Sequence, residues 1–481
     1  MCDAPNVRWQ RPGLKPDAVR RPRGAGATGR CPSNWMATVP QAQVEKVNTV
    51  ISLPKRTASF VLAALLVAAP LLAQELPQAI PETVGMSSER LERITTTLDG
   101  YVREGRLAGA AAIVLRDGKL VYSDAVGSRD REASSPMTTD AIFRIASQTK
   151  ALVSVGIMML QEEGKLLISD PVSRHLPAFR NTTVAEPRAG GGYDVVPAER
   201  QITLRHLLTH TAGIAYGSGP GGDRWEAADI TGWYFGHRDE PVGRTVDRMA
   251  ALPFQAQPGE RFVYGYNTDI LGAVIEVVSG QPLDAFIRER ILEPLDMRDT
   301  HFYLPTDKRG RLVTVYSLRG ELTRAPDGSG MQAQGQYVDG PRVSFSGGAG
   351  LLSTTRDYAR FLQMLLNGGE LNGARLLSPT TVDLMTQNHI GDIGGGPGMG
   401  FGLGFSIRED VGAAGEPGSV GEFGWGGAYH STYWVDPMEK LVVVYLTQVI
   451  PATGLDDQAK LRALIYSSIT ESMSSMHEMM H

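Results

Sequence analysis

Apolar residues at 110–115 and 120–123 flank Arg116-Asp117-Gly118-Lys119, and an Asp-Gly step between two apolar runs predicts a β-hairpin. A second hairpin is predicted near the other end, where 432–435 and 441–446 flank Asp436-Pro437-Met438-Glu439-Lys440. Hairpins at opposite ends of a chain imply one antiparallel sheet. Helical spacing runs through 87–105 and again through 457–473, where Leu461, Leu464, Ile465 and Ile469 share a face, so these two helices are expected to cover that sheet. The middle of the chain has helical periods at 203–208, 268–280, 282–292, 354–367 and 379–388. Ser353 or Thr354 is placed to cap the 354–367 segment, Gly368-Gly369 to end it, and Ser378-Pro379 to begin the next. Glycine-rich stretches at 189–192, 217–222 and 394–404 read as loops, and no internal repeat is present. The expected fold class is α+β: an antiparallel sheet flanked by helices, with an inserted, mostly helical region.

The N-terminal part reads differently. Residues 59–73 are apolar, follow Lys55-Arg56 and end in small residues, the layout of a secretory signal peptide and too short for a comfortable membrane span. Residues 1–50 are basic and rich in Pro, Gly and Arg, and read as an over-extended leader ahead of a signal peptide at 51–73. The main domain is then expected at 74–481. Its sheet lobe comes from about 80–165 and 340–470, its insert from about 166–339, and 471–481 forms a flexible tail. Both cysteines, Cys2 and Cys31, fall in the leader, so the mature chain is expected to have no disulfide, no thiol nucleophile and no cysteine-ligated metal. The whole chain has a formal net charge of −5, but the first 73 residues carry ten Lys+Arg against three Asp+Glu, leaving −12 on the remainder. Such an acidic chain is a poor nucleic-acid binder. A periplasmic or secreted protein, with no stable membrane association once the signal is cleaved, is the expectation.

Chemistry concentrates at Ser147-Gln148-Thr149-Lys150. The extended run 141–145 gives way there to the apolar helical spacing of 151–160, so Ser147 and Lys150 lie on one helix face. A serine hydroxyl needs a partner to take its proton, and a lysine can do so only if its surroundings lower its pKa. No serine sits in a G-x-S-x-G pattern, so the rival nucleophile-elbow chemistry has no local support.

Further motifs follow in order: Ile202-Thr203-Leu204-Arg205-His206-Leu207-Leu208-Thr209-His210-Thr211-Ala212-Gly213, Pro258-Gly259 with Tyr264, Gly347-Gly348-Ala349-Gly350-Leu351-Leu352-Ser353-Thr354, and Trp425-Gly426-Gly427. Together with Ser147 they resemble the class C β-lactamase-related serine hydrolases, and most of all the family VIII carboxylesterases, over roughly residues 80–470. The resemblance implies a serine β-lactamase-like fold with the active site between sheet lobe and insert. It also implies Ser147 as nucleophile, Lys150 as its partner, Tyr264 as the tyrosine of a Tyr-x-Asn element, and the backbone N–H groups of Ser147 and Ala428 as oxyanion hole. Lys150 and Tyr264 titrate as one coupled pair, and either could hold the base form. No cofactor is expected.

Two departures bear on substrate. In Tyr264-Gly265-Tyr266-Asn267 the asparagine falls one position late, so Tyr266 or a shifted Asn267 is the candidate for its substrate-binding place. Where β-lactamases carry Lys-Thr-Gly, this chain has Trp425-Gly426-Gly427, an apolar wall that tilts the substrate towards neutral small-molecule esters. His430 is a further candidate for substrate contact. A β-lactamase or D-amino-acid-directed peptidase would need a replacement cation, for which Arg342 and His430 are candidates. A non-catalytic cell-wall binding protein should have lost Ser147, Lys150 or Tyr264, and none is lost.

Other residues take plainer roles. His210 reads as shaping a turn, and Trp225, Trp233, Tyr234 and Phe235 as either core of the insert or wall of an acyl pocket. The loops at 217–222 and 394–404 are expected to border that pocket. His477-Glu478-Met479-Met480-His481 matches H-E-x-x-H, but the last histidine ends the chain, where fraying is expected, so no metal site is expected.

Overall fold

The computed structural model describes residues 75–473. The leader, the signal peptide and the H-E-x-x-H tail lie outside the described residues.

The elements that position the site are α1 (Ser88–Arg103), β1 (Gly109–Arg116), β2 (Lys119–Asp130), β3 (Ser135–Pro136) and α2 (Thr149–Glu162). After them come α3 (Asn267–Ser279), α4 (Thr355–Leu366), β4 (Met399–Phe401), β5 (Ser406–Arg408), β6 (Phe423–Gly427), β7 (Ser431–Asp436), β8 (Leu441–Leu446) and α5 (Asp457–Ser467). One eight-stranded sheet runs in the order β4-β5-β6-β7-β8-β1-β2-β3. Its pairings from β4 through β3 are antiparallel. The chain ends meet in its centre, where Ile113 pairs with Val444 and Leu115 with Val442. The α+β class expected from the hairpins is the observed one.

β1 is buried along its whole length because helices cover both faces. Ala111, Ile113 and Leu115 face the large core that contains α2 and α4, whereas Ala110, Ala112 and Val114 face α1 and α5. Ile113, Val114 and Leu115 each contribute about 1.5–3 kcal/mol by leaving water, and the alanines less. On α5, which ends at Ser467 rather than at the expected 473, Leu461 and Ile465 are buried against the sheet and Leu464 packs at the margin with Ile469 from the chain beyond the helix. α2 is buried all round from Thr149 to Leu160, the mark of an interior helix, and it packs against α3. At Gly156 a β-carbon would lie 3.1 Å from both Ile275 and Phe286, so the small residue admits that approach.

Several features depart from the sequence pattern. The 282–292 segment is α-helical only over Leu283–Ile287 and widens into a π turn at Arg288–Leu292. The insert holds two hairpins, Thr183–Pro187 with Tyr193–Pro197 and Tyr316–Leu318 with Leu322–Arg324. Tyr316–Leu318 also pairs in parallel with Val449–Ala452, which stitches the insert to the chain leaving β8. Thr354, rather than Ser353, caps α4, accepting from Asp357 N, and Ser378 caps Pro379–Met385.

Candidate active site

Ser147 lies where a short extended segment meets a helix. Phe143 and Arg144 pair with Ser353 and Leu352, and Ile145 N–H donates to the Leu351 carbonyl at 3.1 Å. One 3-10 turn, Ala146–Gln148, then leads into α2. Ala146 holds φ +43°, a left-handed conformation unfavourable for any residue with a β-carbon and held here by the surrounding bonds. Leu351 N–H donates to Thr149 Oγ1 at 3.0 Å and Tyr358 O–H to the Gln148 carbonyl at 2.9 Å. The turn that aims the serine is thus clamped on two sides.

Lys150 is 3% exposed, and its Nζ donates to three acceptors: Gly348 O at 2.7 Å, Tyr216 Oη at 3.0 Å and Ser147 Oγ at 3.3 Å. Gly348 O can only accept from it, whereas the Ser147 and Tyr216 hydroxyls can accept from an ammonium or donate to a neutral amine. Burial by itself would lower its pKa, but Tyr216, Tyr264 and Asp269 outweigh burial and the net direction is upward. The requirement that its surroundings lower the lysine's pKa is therefore not met. Tyr216 is pushed upward by burial, against the opposing pull of Lys150.

Tyr264 stands on the other side of the ammonium, its ring centroid 4.7 Å from Lys150 Nζ. Trp425 Nε1–H donates to the Tyr264 hydroxyl at 2.9 Å. Beneath Tyr264 lies the His210 ring, with centroids 4.5 Å apart. His210 is fully buried with φ +55°, and burial followed by the charge of Lys150 keeps its imidazole neutral.

β6 brings Trp425-Gly426-Gly427 alongside the serine turn. A β-carbon on Gly427 would stand 2.6 Å from the Ile145 carbonyl and 2.4 Å from Ser431 Oγ, so glycine is required for that approach. Ser147 and Ala428 thereby line the same open cleft of about 600 Å³, together with Tyr216, Trp233, Tyr264, Trp425, His430 and Gln458. None of the side chains lining it is Lys or Arg.

The structure brings Ser147, Lys150, Tyr264, Ala428, Trp425, Gly426, Gly427 and His430 together and leaves two candidates out. Tyr266 is buried with its hydroxyl donating to the Gly232 carbonyl at 2.6 Å. Asn267 is equally buried, its amide directed at His210 Nδ1, Ile214 O and Val263 O. α3 begins at Asn267, and that turn carries both side chains into the core, so neither contacts substrate. Arg342 donates to the Leu304 and Val338 carbonyls and is not on the cleft. His430 lines the cleft, but its Nε2 is 2.7 Å from the buried Asp457 carboxylate. Of the aromatic quartet, Trp233 is cleft wall and Trp225, Tyr234 and Phe235 are core. The loops 217–222 and 394–404 do not line the cleft, which begins at Tyr216. Tyr216 itself was not a candidate. Following the 202–213 segment three residues further would have reached it.

Fold and site define a serine hydrolase of the β-lactamase type. A profile of the Beta-lactamase family matches residues 94–466, and the chain belongs to that family. Protein Rv1367c of Mycobacterium tuberculosis is 36% identical over 371 residues, covering 74% of this chain and 89% of its own. Esterase EstB of Burkholderia gladioli is 35% identical over 372 residues with the same coverage. Among solved structures, EstCE1, described as a hydrolase with promiscuous acyltransferase activity, matches with a TM-score of 0.68 at 30% identity, covering 79% of this chain and 99% of its own. The resemblance to family VIII carboxylesterases drawn from the motifs stands.

Proposed function

We propose that the protein is a secreted, periplasmic or extracellular carboxylesterase that cleaves short-acyl esters through an acyl-Ser147 intermediate. The observation that carries this is the cleft over Ser147, walled by Trp425, Trp233, Tyr216 and Tyr264 and lined by no Lys or Arg side chain. A neutral ester needs no cation there, whereas the carboxylate of a β-lactam or peptide end would find no Lys or Arg side chain to offset its desolvation.

Because its surroundings favour the Lys150 ammonium, we assign Tyr264 as the base. Ser147 Oγ bonds to the acyl carbon as its proton passes to the Tyr264 oxygen, and the carbonyl electron pair moves to oxygen. The backbone N–H groups of Ser147 and Ala428 receive that oxyanion. Collapse expels the alkoxide, which recovers the proton from Tyr264, and water then repeats the sequence on the acyl-enzyme. Lys150 remains charged throughout, orienting Ser147 Oγ and offsetting the charge on Tyr264. The esterase relatives support this assignment, and the 59–73 apolar segment supports export.

The test is a p-nitrophenyl ester series from acetate to laurate on the purified protein, with intact mass measured during turnover. Highest kcat/KM at two to six acyl carbons, with an acyl adduct lost in Ser147→Ala, is the expected result. A laurate optimum would contradict the short-acyl assignment, and an adduct surviving in Ser147→Ala would contradict the nucleophile.

A further inference from the structure

Behind Lys150 lies a carboxylate that the mechanism above does not use. Asp269, in the first turn of α3, is 1% exposed. Its Oδ1 accepts from Ser346 Oγ at 2.6 Å and from Gly348 N at 3.0 Å, while Oδ2 is buried without a hydrogen-bond partner. Ser346 Oγ in turn accepts from Ala349 N at 3.1 Å. That N–H belongs to the peptide whose carbonyl, Gly348 O, receives Lys150 Nζ at 2.7 Å. One unbroken hydrogen-bond chain therefore runs from the Lys150 ammonium through the Gly348–Ala349 peptide and Ser346 to Asp269.

The spacing of this chain depends on small residues. A β-carbon on Gly348 would stand 2.4 Å from Asp269 Oδ2, and one on Gly347 would stand 2.5 Å from the Thr268 carbonyl. The loop is pressed onto the start of α3, with no room for a side chain between carboxylate and peptide. A negative charge at one end of such a chain polarises each bond in it, making Gly348 O a stronger acceptor.

We propose that Asp269 is a positioning residue for Lys150, acting through Ser346 and the Gly348–Ala349 peptide to hold the lysine as an ammonium beside Ser147. This rests on the serine-nucleophile assignment but not on the ester substrate. The other groups facing the ammonium are Tyr216 and His210 from the 209–217 loop, Tyr264 from the segment before α3, and Ser147 from its own turn. None of these is a carboxylate. Burial raises the pKa of Asp269 on balance, and Lys150 and the hydrogen bonds from Ser346 and Gly348 are what oppose it in favour of the carboxylate.

The experiment follows Ser147 labelling by a fluorophosphonate probe from pH 6 up to the alkaline limit of the fold, read by intact mass on wild type, Asp269→Asn and Ser346→Ala. Asparagine keeps an acceptor oxygen and removes the charge. An ionised Asp269 favours the ammonium, so its loss should let Lys150 deprotonate at lower pH. The alkaline limb of labelling should therefore move down by about one pH unit or more in Asp269→Asn, the scale of a nearby opposite charge. Ser346→Ala should move it the same way by less, because the charge remains but the relay is broken. Melting temperatures identify any variant that has not folded. An unmoved limb in both folded variants would overturn the proposal, even if labelling were slower, because that is what a merely structural role would give. Unfolding of Asp269→Asn would leave Ser346→Ala to decide. Ester turnover is not the readout, so a wild type that labels at Ser147 but ignores esters counts against the substrate alone. A wild type that does not label would overturn both assignments.

Discussion

Trp425 donates its indole N–H to the Tyr264 hydroxyl at 2.9 Å, so the residue that walls the cleft also holds the proposed base in place. The rings lie 5.3 Å apart, and Phe401 packs edge-on against Trp425 at 5.2 Å, which fixes the indole from behind. Trp425→Phe keeps the wall and removes the donor. A hydrogen bond to an ionised oxygen is worth about 1.5–3 kcal/mol, so losing the donor that favours the base form of Tyr264 should lower kcat on a short ester about ten- to a hundredfold with little change in KM. Initial-rate kinetics on p-nitrophenyl butyrate check this.

Lys150 has three acceptors in three directions, and no other side chain reproduces that arrangement. Lys150→Ala should cost about three orders of magnitude in kcat/KM. Lys150→Arg should rescue little, because a planar fork cannot serve three converging acceptors as a compact ammonium does. Rates, with circular dichroism to verify the fold, decide the matter.

Gly427 and Gly426 provide a paired comparison. A β-carbon at 427 meets the Ile145 carbonyl at 2.6 Å, backbone that cannot swing away, whereas at 426 the nearest atom is Ser431 O at 3.1 Å. Gly427→Ala should therefore displace the Ala428 N–H from the serine turn and lower kcat by about a hundredfold, on the scale of losing one oxyanion donor. Gly426→Ala should cost less than Gly427→Ala in the same assay.

Asp357, in the first turn of α4, accepts from Asp299 N at 2.8 Å and from Thr300 Oγ1 at 3.0 Å, and burial raises its pKa to about 6. An acid whose folded pKa is raised stabilises the fold fully below its unfolded pKa of about 3.9 and loses that contribution as pH rises through about 6. Asp357→Asn keeps an acceptor and abolishes the titration. The variant should be more stable than wild type at pH 8, by about 1–3 kcal/mol, and should lose that advantage near pH 4. Urea unfolding at both pH values measures it.

The sheet was legible because its signals are local. Asp117-Gly118 marks one hairpin and 436–440 another, and β1 against β8 follows from burying two apolar strands together, whereas the short strands β3, β4 and β5 carry no such local signal. Ser147 and Lys150 were legible because three residues on a helix face fix their neighbourhood. Tyr264 needed the resemblance to stand out from any packed tyrosine. Tyr266 and Asn267 were misplaced because one extra residue before α3 decides which side chains enter the core, and spacing alone does not locate a helix start to that accuracy. Tyr216 and Asp269 were invisible for a different reason. Each acts through contacts distant in sequence, 66 residues from Tyr216 to Lys150 and 77 from Asp269 to Ser346, and neither sits in a pattern of its own.

The most direct test compares initial rates of the purified mature protein on p-nitrophenyl butyrate and on a chromogenic cephalosporin, with Ser147→Ala as control. Fast, Ser147-dependent butyrate cleavage with slow or absent cephalosporin cleavage is the predicted result. Faster cephalosporin cleavage would contradict it, because the cleft would then have to bind a carboxylate that no Lys or Arg among its lining residues can meet.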